Sequence, residues 1–212
     1  MYWWSNIALP EWPGARVVVP AYFAYANRYE GGNHFLSRIP LPDGEGFDGT
    51  RPENFEYVKD HFYDIPDESR KYECLFYEDG YGFAHCSTRR LPGRKLFVWG
   101  SSQGGRHWQR KLVPEGTPDY LEIQAGLGKT QMECVPMPPQ TTWEWLESYG
   151  AIRLSPDAVF GEWEDAVKAV TARLDALLPE KTLDQMLDST RDSMALQPGN
   201  VVLSGSGWGA LE

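Results

Sequence analysis

The chain has 212 residues, enough to bury a sizeable core in one large or two small domains. A formal net charge of −10 argues against nucleic acid, whose phosphates need clustered cations, and against anionic membranes. No apolar run approaches membrane-spanning length, so neither partner is expected.

Aromatic residues make up 14% of the chain, with 9 Trp, 11 Tyr and 9 Phe. Such rings serve cores, and they also suit a surface that stacks on flat, weakly polar ligands. The local basic groups Arg89, Arg90, Arg94 and Lys95, and Arg106, Arg110 and Lys111, lie beside glycines and read as solvated turn edges. The opening "MYWWSNIALPEW" lacks a basic segment followed by an apolar run, which makes a cytoplasmic location the expectation.

From Tyr2 to about Ile152 the signals are β: short aromatic and β-branched runs punctuated by Gly, Pro, Asn and Asp. In chain order the strand candidates are "YWWSNIA", "ARVVVPA", "FEYVKDH", "KYECLFYE", "GFAHCSTR", "KLFVWGS", "YLEIQAG", "TQMECVPM" and "TTWEWLESYG". In the first, Trp3 and Trp4 fall on opposite faces and Asn6 sits among rings, where its amide suits a sugar hydroxyl or a neighbouring backbone group. The segment from Ile39 to Glu53 has no periodicity and reads as a surface loop. "EDGYG" is a hairpin turn, because Asp79-Gly80 tolerates positive φ. "SSQGGRHWQRKL" reads as containing a short helical turn.

In "YLEIQAG", Leu121 and Ile123 share one face, while Tyr120, Glu122 and Gln124 share the other. The polar trio faces either bulk water or a wet pocket. "TTWEWLESYG" places Trp143, Trp145, Glu147 and Tyr149 on one face, a surface able to stack on sugar rings while the carboxylate binds hydroxyls. Covered by helices, the same face would be ordinary core. Glu122, Glu133 and Glu147 are the carboxylates available for acid–base chemistry, with their separations decisive for any glycosidase mechanism.

Beyond Arg153 the period becomes helical. Phe160, Trp163, Val167, Val170, Leu174 and Leu177 form one stripe after Ser155 and Pro156, and Leu183, Met186, Leu187, Thr190 and Met194 form a second over about 182–195. The division is thus a β-sandwich over 1–152 and a helical segment over 153–212. Two helices alone bury too little, so the first stripe is expected to pack on the β region or, failing that, to form a homodimer.

Other chemistries find little support. Cys74, Cys86 and Cys134 lack CxxC spacing, and the four histidines show no ligand-like pairing, so neither metal nor cofactor is expected. "GSSQGG" lacks the spacing of a nucleophile elbow, and "GLGKT" lacks that of a phosphate loop.

Taken together, "MYWWSNIALPEW", "KLFVWGSSQGGRHWQRKL", "YLEIQAGLGKTQMECVPMPPQTTWEWLESYG" and "GSGWGALE" resemble a bacterial domain-of-unknown-function family found ahead of tetratricopeptide repeats. The family is similar to galactose-mutarotase-like supersandwiches, some relatives of which hydrolyse or transfer β-linked gluco-oligosaccharides. The resemblance implies an antiparallel β-sandwich, with more sandwich before this chain and helical repeats after it. It also implies an oligosaccharide or glycoside ligand and Glu122 as general acid. Trp3, Trp4, Asn6, Gln124, Gln131, Glu133, Trp143, Trp145 and Glu147 are the substrate-binding candidates. The competing expectation is a non-catalytic scaffold that supports the repeats and binds protein.

Overall fold

A computed structural model describes residues 1–44 and 46–207. The end of the "GSGWGALE" run, from residue 208 onward, lies outside the described residues.

The β segments form an antiparallel sandwich. Its larger sheet contains six strands: β1 (Trp4–Pro10), β3 (Phe23–Glu30), β4 (Asn33–Pro40), β7 (Lys59–Tyr63), β10 (Gly93–Val98) and β11 (Tyr120–Gly126). They are ordered β1-β11-β10-β7-β3-β4. The smaller sheet runs β12-β9-β8-β2, from β2 (Arg16–Val18), β8 (Lys71–Phe76), β9 (Tyr81–Ser87) and β12 (Glu147–Arg153). A two-residue pair, β5 (Asp43–Gly44) with β6 (Phe47–Asp48), lies in the loop after β4.

Alternation decides which side chains meet. Leu9, Leu96, Val98, Leu121 and Ile123 from the large sheet share one core with Val17 and Leu75 from the small one. Leu121 and Ile123 therefore point inward, and Glu122 and Gln124 point to the far face of the large sheet.

The predicted hairpin joins β8 to β9, with Gly80 at φ +75. "SSQGGRHWQRKL" forms a full helix, α1 (Gln103–Leu112), because Ser102 caps it by accepting from the Gly105 N–H. "TQMECVPM" does not form a strand: Pro136, Pro138 and Pro139 remove the ladder donors, and residues 131–146 run as irregular chain. "TTWEWLESYG" becomes strand only at Glu147.

After β12 come α2 (Pro156–Phe160), α3 (Trp163–Leu177) and α4 (Glu180–Arg191). The predicted single helix is split at Gly161, the extended C-cap of α2. The stripe packs on the outer face of the small sheet, as expected. Trp163, Val170 and Leu174 are buried in the common core, and only Leu177 is half exposed. Polar ties fix the register. The Trp163 Nε1–H donates to the Ala21 carbonyl at 2.9 Å, and Arg16 donates to the carbonyls of Val159 and Gly161. Burying each such side chain contributes roughly 1.5–3 kcal/mol, which is why the helices stay on the sheet.

The arginine and lysine at positions 94 and 95 correct the reading of solvated turns. Both are buried in β10. Arg94 is held between the sheets by the carbonyls of Leu91, Gly93 and Lys71 and by Ser87 Oγ, so its cation is solvated by protein dipoles. Among the described residues, no helix is long and apolar enough to cross a membrane. Cys74 and Cys86 are buried and unpaired, and Cys134 is exposed.

Candidate functional site: the outer face of the six-stranded sheet

The register across the large sheet lines up two rows of outward side chains. One row runs Ala8, Glu122, Phe97, Asp60, because Glu122 and Asp60 both pair with Phe97 of β10. The next runs Asn6, Gln124, Lys95, Phe62, Tyr25, Arg38.

A continuous polar chain joins these rows. The Asn6 and Gln124 amides both donate to Glu122 Oε2, at 2.7 and 2.8 Å. Gln131 Nε2 donates to Gln124 Oε1 at 2.9 Å, and Lys95 Nζ donates to both Gln131 Oε1 and Asp60 Oδ1 at 2.8 Å. Gln131 arrives from the turn after β11 and covers this second row, leaving Gln124, Lys95 and Phe62 buried. The first row remains half-exposed at Glu122, Phe97 and Asp60. Beyond the chain, Tyr25 and Arg38 both donate to Asp64.

Two sets of rings border the row. Trp4 lies across Gly126 and Gly93, where any Cβ would collide with its indole, and meets Phe62 edge-on at 6.0 Å. Glycine is needed there for the indole to lie flat on the sheet. On the other side, Phe97 meets Trp99 edge-on at 4.9 Å, Trp99 stacks with Trp108 of α1 at 6.2 Å, and Tyr120 closes on Trp99 at 6.4 Å. Trp108 is 50% exposed, so this wall offers a ring to a ligand. Next to Glu122, Ala8, Pro10 and Tyr120 face Leu112, Val113 and Pro114 across a cavity of ≈ 450 Å³.

The predicted residues are thus only partly brought together. Trp4, Asn6, Gln124 and Gln131 share the face with Glu122. Trp3 points the other way and packs on Trp145 at 4.6 Å, against Leu91, Ala125 and Leu127. Trp143 joins that minor cluster and carries Arg90 over its ring at 5.2 Å. Glu133 is exposed and accepts from Thr130 Oγ1 at 3.3 Å. Without the expected strand before Glu147, the Trp143–Trp145 face does not form.

Glu147 instead lies at the sandwich edge, between β12 and β1. Its Oε2 accepts from Ser5 Oγ at 2.6 Å and Tyr149 OH at 2.7 Å, and lies 2.8 Å from His85 Nε2. His85 stacks on Tyr149, and burial pushes its pKa down to about 4 despite the carboxylate. Those bonds draw the Glu147 carboxyl below its ordinary range against the pull of its own burial. Glu73, the cross-strand partner of His85, is buried with neither oxygen hydrogen-bonded, and burial pushes its carboxyl up to about 8.

Sequence reading missed Asp60, Lys95, Phe97, Trp99 and Trp108. The alternation Lys95-Phe97-Trp99 against Leu96-Val98 in "KLFVWG" carried the signal, because it sets two rings and a lysine on one face.

Comparison with known proteins covers the centre of this face. Residues 46–138 match a family model described as a domain of unknown function, DUF5107. That match agrees with the domain-of-unknown-function likeness stated from the motifs. The DUF5107 segment holds Asp60, Lys95, Phe97, Glu122 and Gln131, while Trp4 and Asn6 lie outside it. A solved structure of a TPR-domain containing protein from Parabacteroides distasonis ATCC 8503 is similar at TM-score 0.49 and 21% identity. The likeness covers 70% of this chain and 23% of that one, so the chain spans about a quarter of that protein's length. Among the described residues, no group of three or more His, Cys, Asp or Glu is placed to hold a metal ion.

Proposed function

We propose that the outer face of the six-stranded sheet binds β-linked glucosides, with Glu122 at its centre. The observation that carries this reading is the Glu122 carboxylate, oriented by two amides beside the Phe97, Trp99, Tyr120 and Trp108 rings. Pyranose rings present C–H faces that stack on aromatics, and equatorial hydroxyls that carboxylates and amides bind. The likeness to sugar-active supersandwiches in the motifs around Glu122 supports the same ligand class. Hydrolysis or transfer through acid–base chemistry is the activity this arrangement suits, with Glu122 as the general acid.

Calorimetry with β-linked glucotrioses tests the binding. Trp108→Ala is expected to weaken affinity about tenfold, equivalent to about 1.4 kcal/mol, while changing stability by no more than about 0.5 kcal/mol. No heat with any linkage would refute the reading.

A second reading, an interaction domain, is favoured by the C-terminal segment. Met186, Met194, Leu196, Val201, Val202 and Leu203 are exposed in sequence after α3. Loss of a partner on truncation at Arg191, with sugar binding absent, would support it.

A further inference from the structure

We infer that Asp60 is the second carboxylate of this site, and that the pair is spaced for hydrolysis with inversion at the anomeric carbon. This rests on the reading of the face as a β-glucoside site.

The inference begins with register. Glu122 and Asp60 are both direct cross-strand partners of Phe97, on its two sides. Two inter-strand spacings put their Cα atoms about 9–10 Å apart. Side chains stand roughly perpendicular to a sheet, so the carboxyl groups inherit a separation near that value. Retaining glycosidases bring their carboxyls to about 5–5.5 Å, while inverting enzymes keep them about 6.5–9.5 Å apart to admit a water. A spacing of about 9–10 Å lies well beyond the retaining range and at the upper limit of the inverting one.

The two carboxyls have different neighbours, and we assign the acid role to Glu122 and the base role to Asp60. Asp60 lies 2.8 Å from the Lys95 ammonium, which is itself almost fully buried and oriented by Gln131. Among the described residues, Glu122 is held by two neutral amides, both on Oε2. Phe97 lies between them in the sheet register, and its ring offers an apolar face to a sugar. In hydrolysis Glu122 passes its proton to the glycosidic oxygen as the bond from that oxygen to the anomeric carbon breaks. A water oxygen forms the new bond from the opposite side of the ring and gives its proton to Asp60. Solvent then removes the proton from Asp60 and returns one to Glu122, so the balance is one water consumed per bond cleaved.

The test uses the chain with β-linked glucotrioses of each linkage and with dinitrophenyl β-glucoside. Proton NMR during early turnover should show the α-anomer as the first product. Asp60→Asn and Glu122→Gln should each lower turnover of the trioses by about 10²–10⁴-fold with binding retained. The dinitrophenyl substrate, whose leaving group needs no proton, should restore turnover in Glu122→Gln but not in Asp60→Asn. A β-anomer as first product, wild-type rates in Asp60→Asn, or trioses bound without turnover by the wild type would each overturn the inference, yet leave the sugar-binding reading intact. Absence of binding would remove both. Should Asp60→Asn fail to fold, the anomer released by the wild type and the leaving-group response of Glu122→Gln decide.

Discussion

Glu73 supplies the most direct physical test of the sandwich interior. Its carboxyl is fully buried between the sheets, in the strand position opposite His85. Burial raises its pKa from 4.5 to about 8, with the buried Arg94 guanidinium opposing part of that rise. Below pH 4.5 both folded and unfolded chains hold the proton, and this contribution to stability is complete. Between 4.5 and about 8 the unfolded chain releases its proton and the folded one does not, so stability falls with rising pH. At about 1.4 kcal/mol per pH unit the loss reaches at most about 5 kcal/mol. Glu73→Gln keeps the shape and removes the titration. Urea unfolding of both proteins at half-unit steps from pH 4.5 to 9 should show the variant gaining on the wild type up to about pH 8, then running parallel. Parallel curves throughout would refute the assignment of a buried, proton-holding carboxyl.

Other expectations follow from the same packing. His85 and His61, with burial pushing their pKa values down to about 4 and about 3, stay neutral in the fold, so stability present above pH 6.5 is lost as pH falls through those values; replacing His85 with Gln should shift the acid unfolding midpoint, read by circular dichroism, to lower pH. Gly126→Ala drives a methyl into the Trp4 indole and should cost about 1–3 kcal/mol by urea titration, with a change in Trp fluorescence. Trp163→Ala removes the centre of the helix–sheet contact and the bond to Ala21, and should cost about 3–5 kcal/mol in the same assay.

The sandwich and the helical end were legible in the sequence because their patterns are strong. "YLEIQAG" became β11 at its predicted bounds, and the Trp163–Leu174 stripe found its sheet. β3 was not legible because its inward positions are Ala24 and Ala26, whose small side chains conceal the alternation, while Phe23 and Tyr25 face outward. β4 is an exposed edge strand with little apolar signal on either face. Glu122, Gln124 and Asn6 were readable as a polar face within single strands. Asp60 and Trp108 were not, since their nearness to Glu122 depends on strand order and on where α1 folds back. The tryptophans at 143 and 145 misled because alternation was read into residues 141–146, which join no sheet ladder to enforce it.

The floor and the wall of the outer face are built from different materials. Glu122, Phe97 and Asp60 hang from adjacent, fully paired strands, so their mutual spacing is set by backbone hydrogen bonds and is difficult to alter without breaking the sheet. Trp108 and the Leu112–Thr117 turn belong to a connection between β10 and β11 that crosses no strand. Insertions or substitutions there would reshape the aromatic side of the groove and leave the carboxylate spacing untouched. Selection acting on this chain thus has a cheap route to new ligand preference and an expensive one to new chemistry.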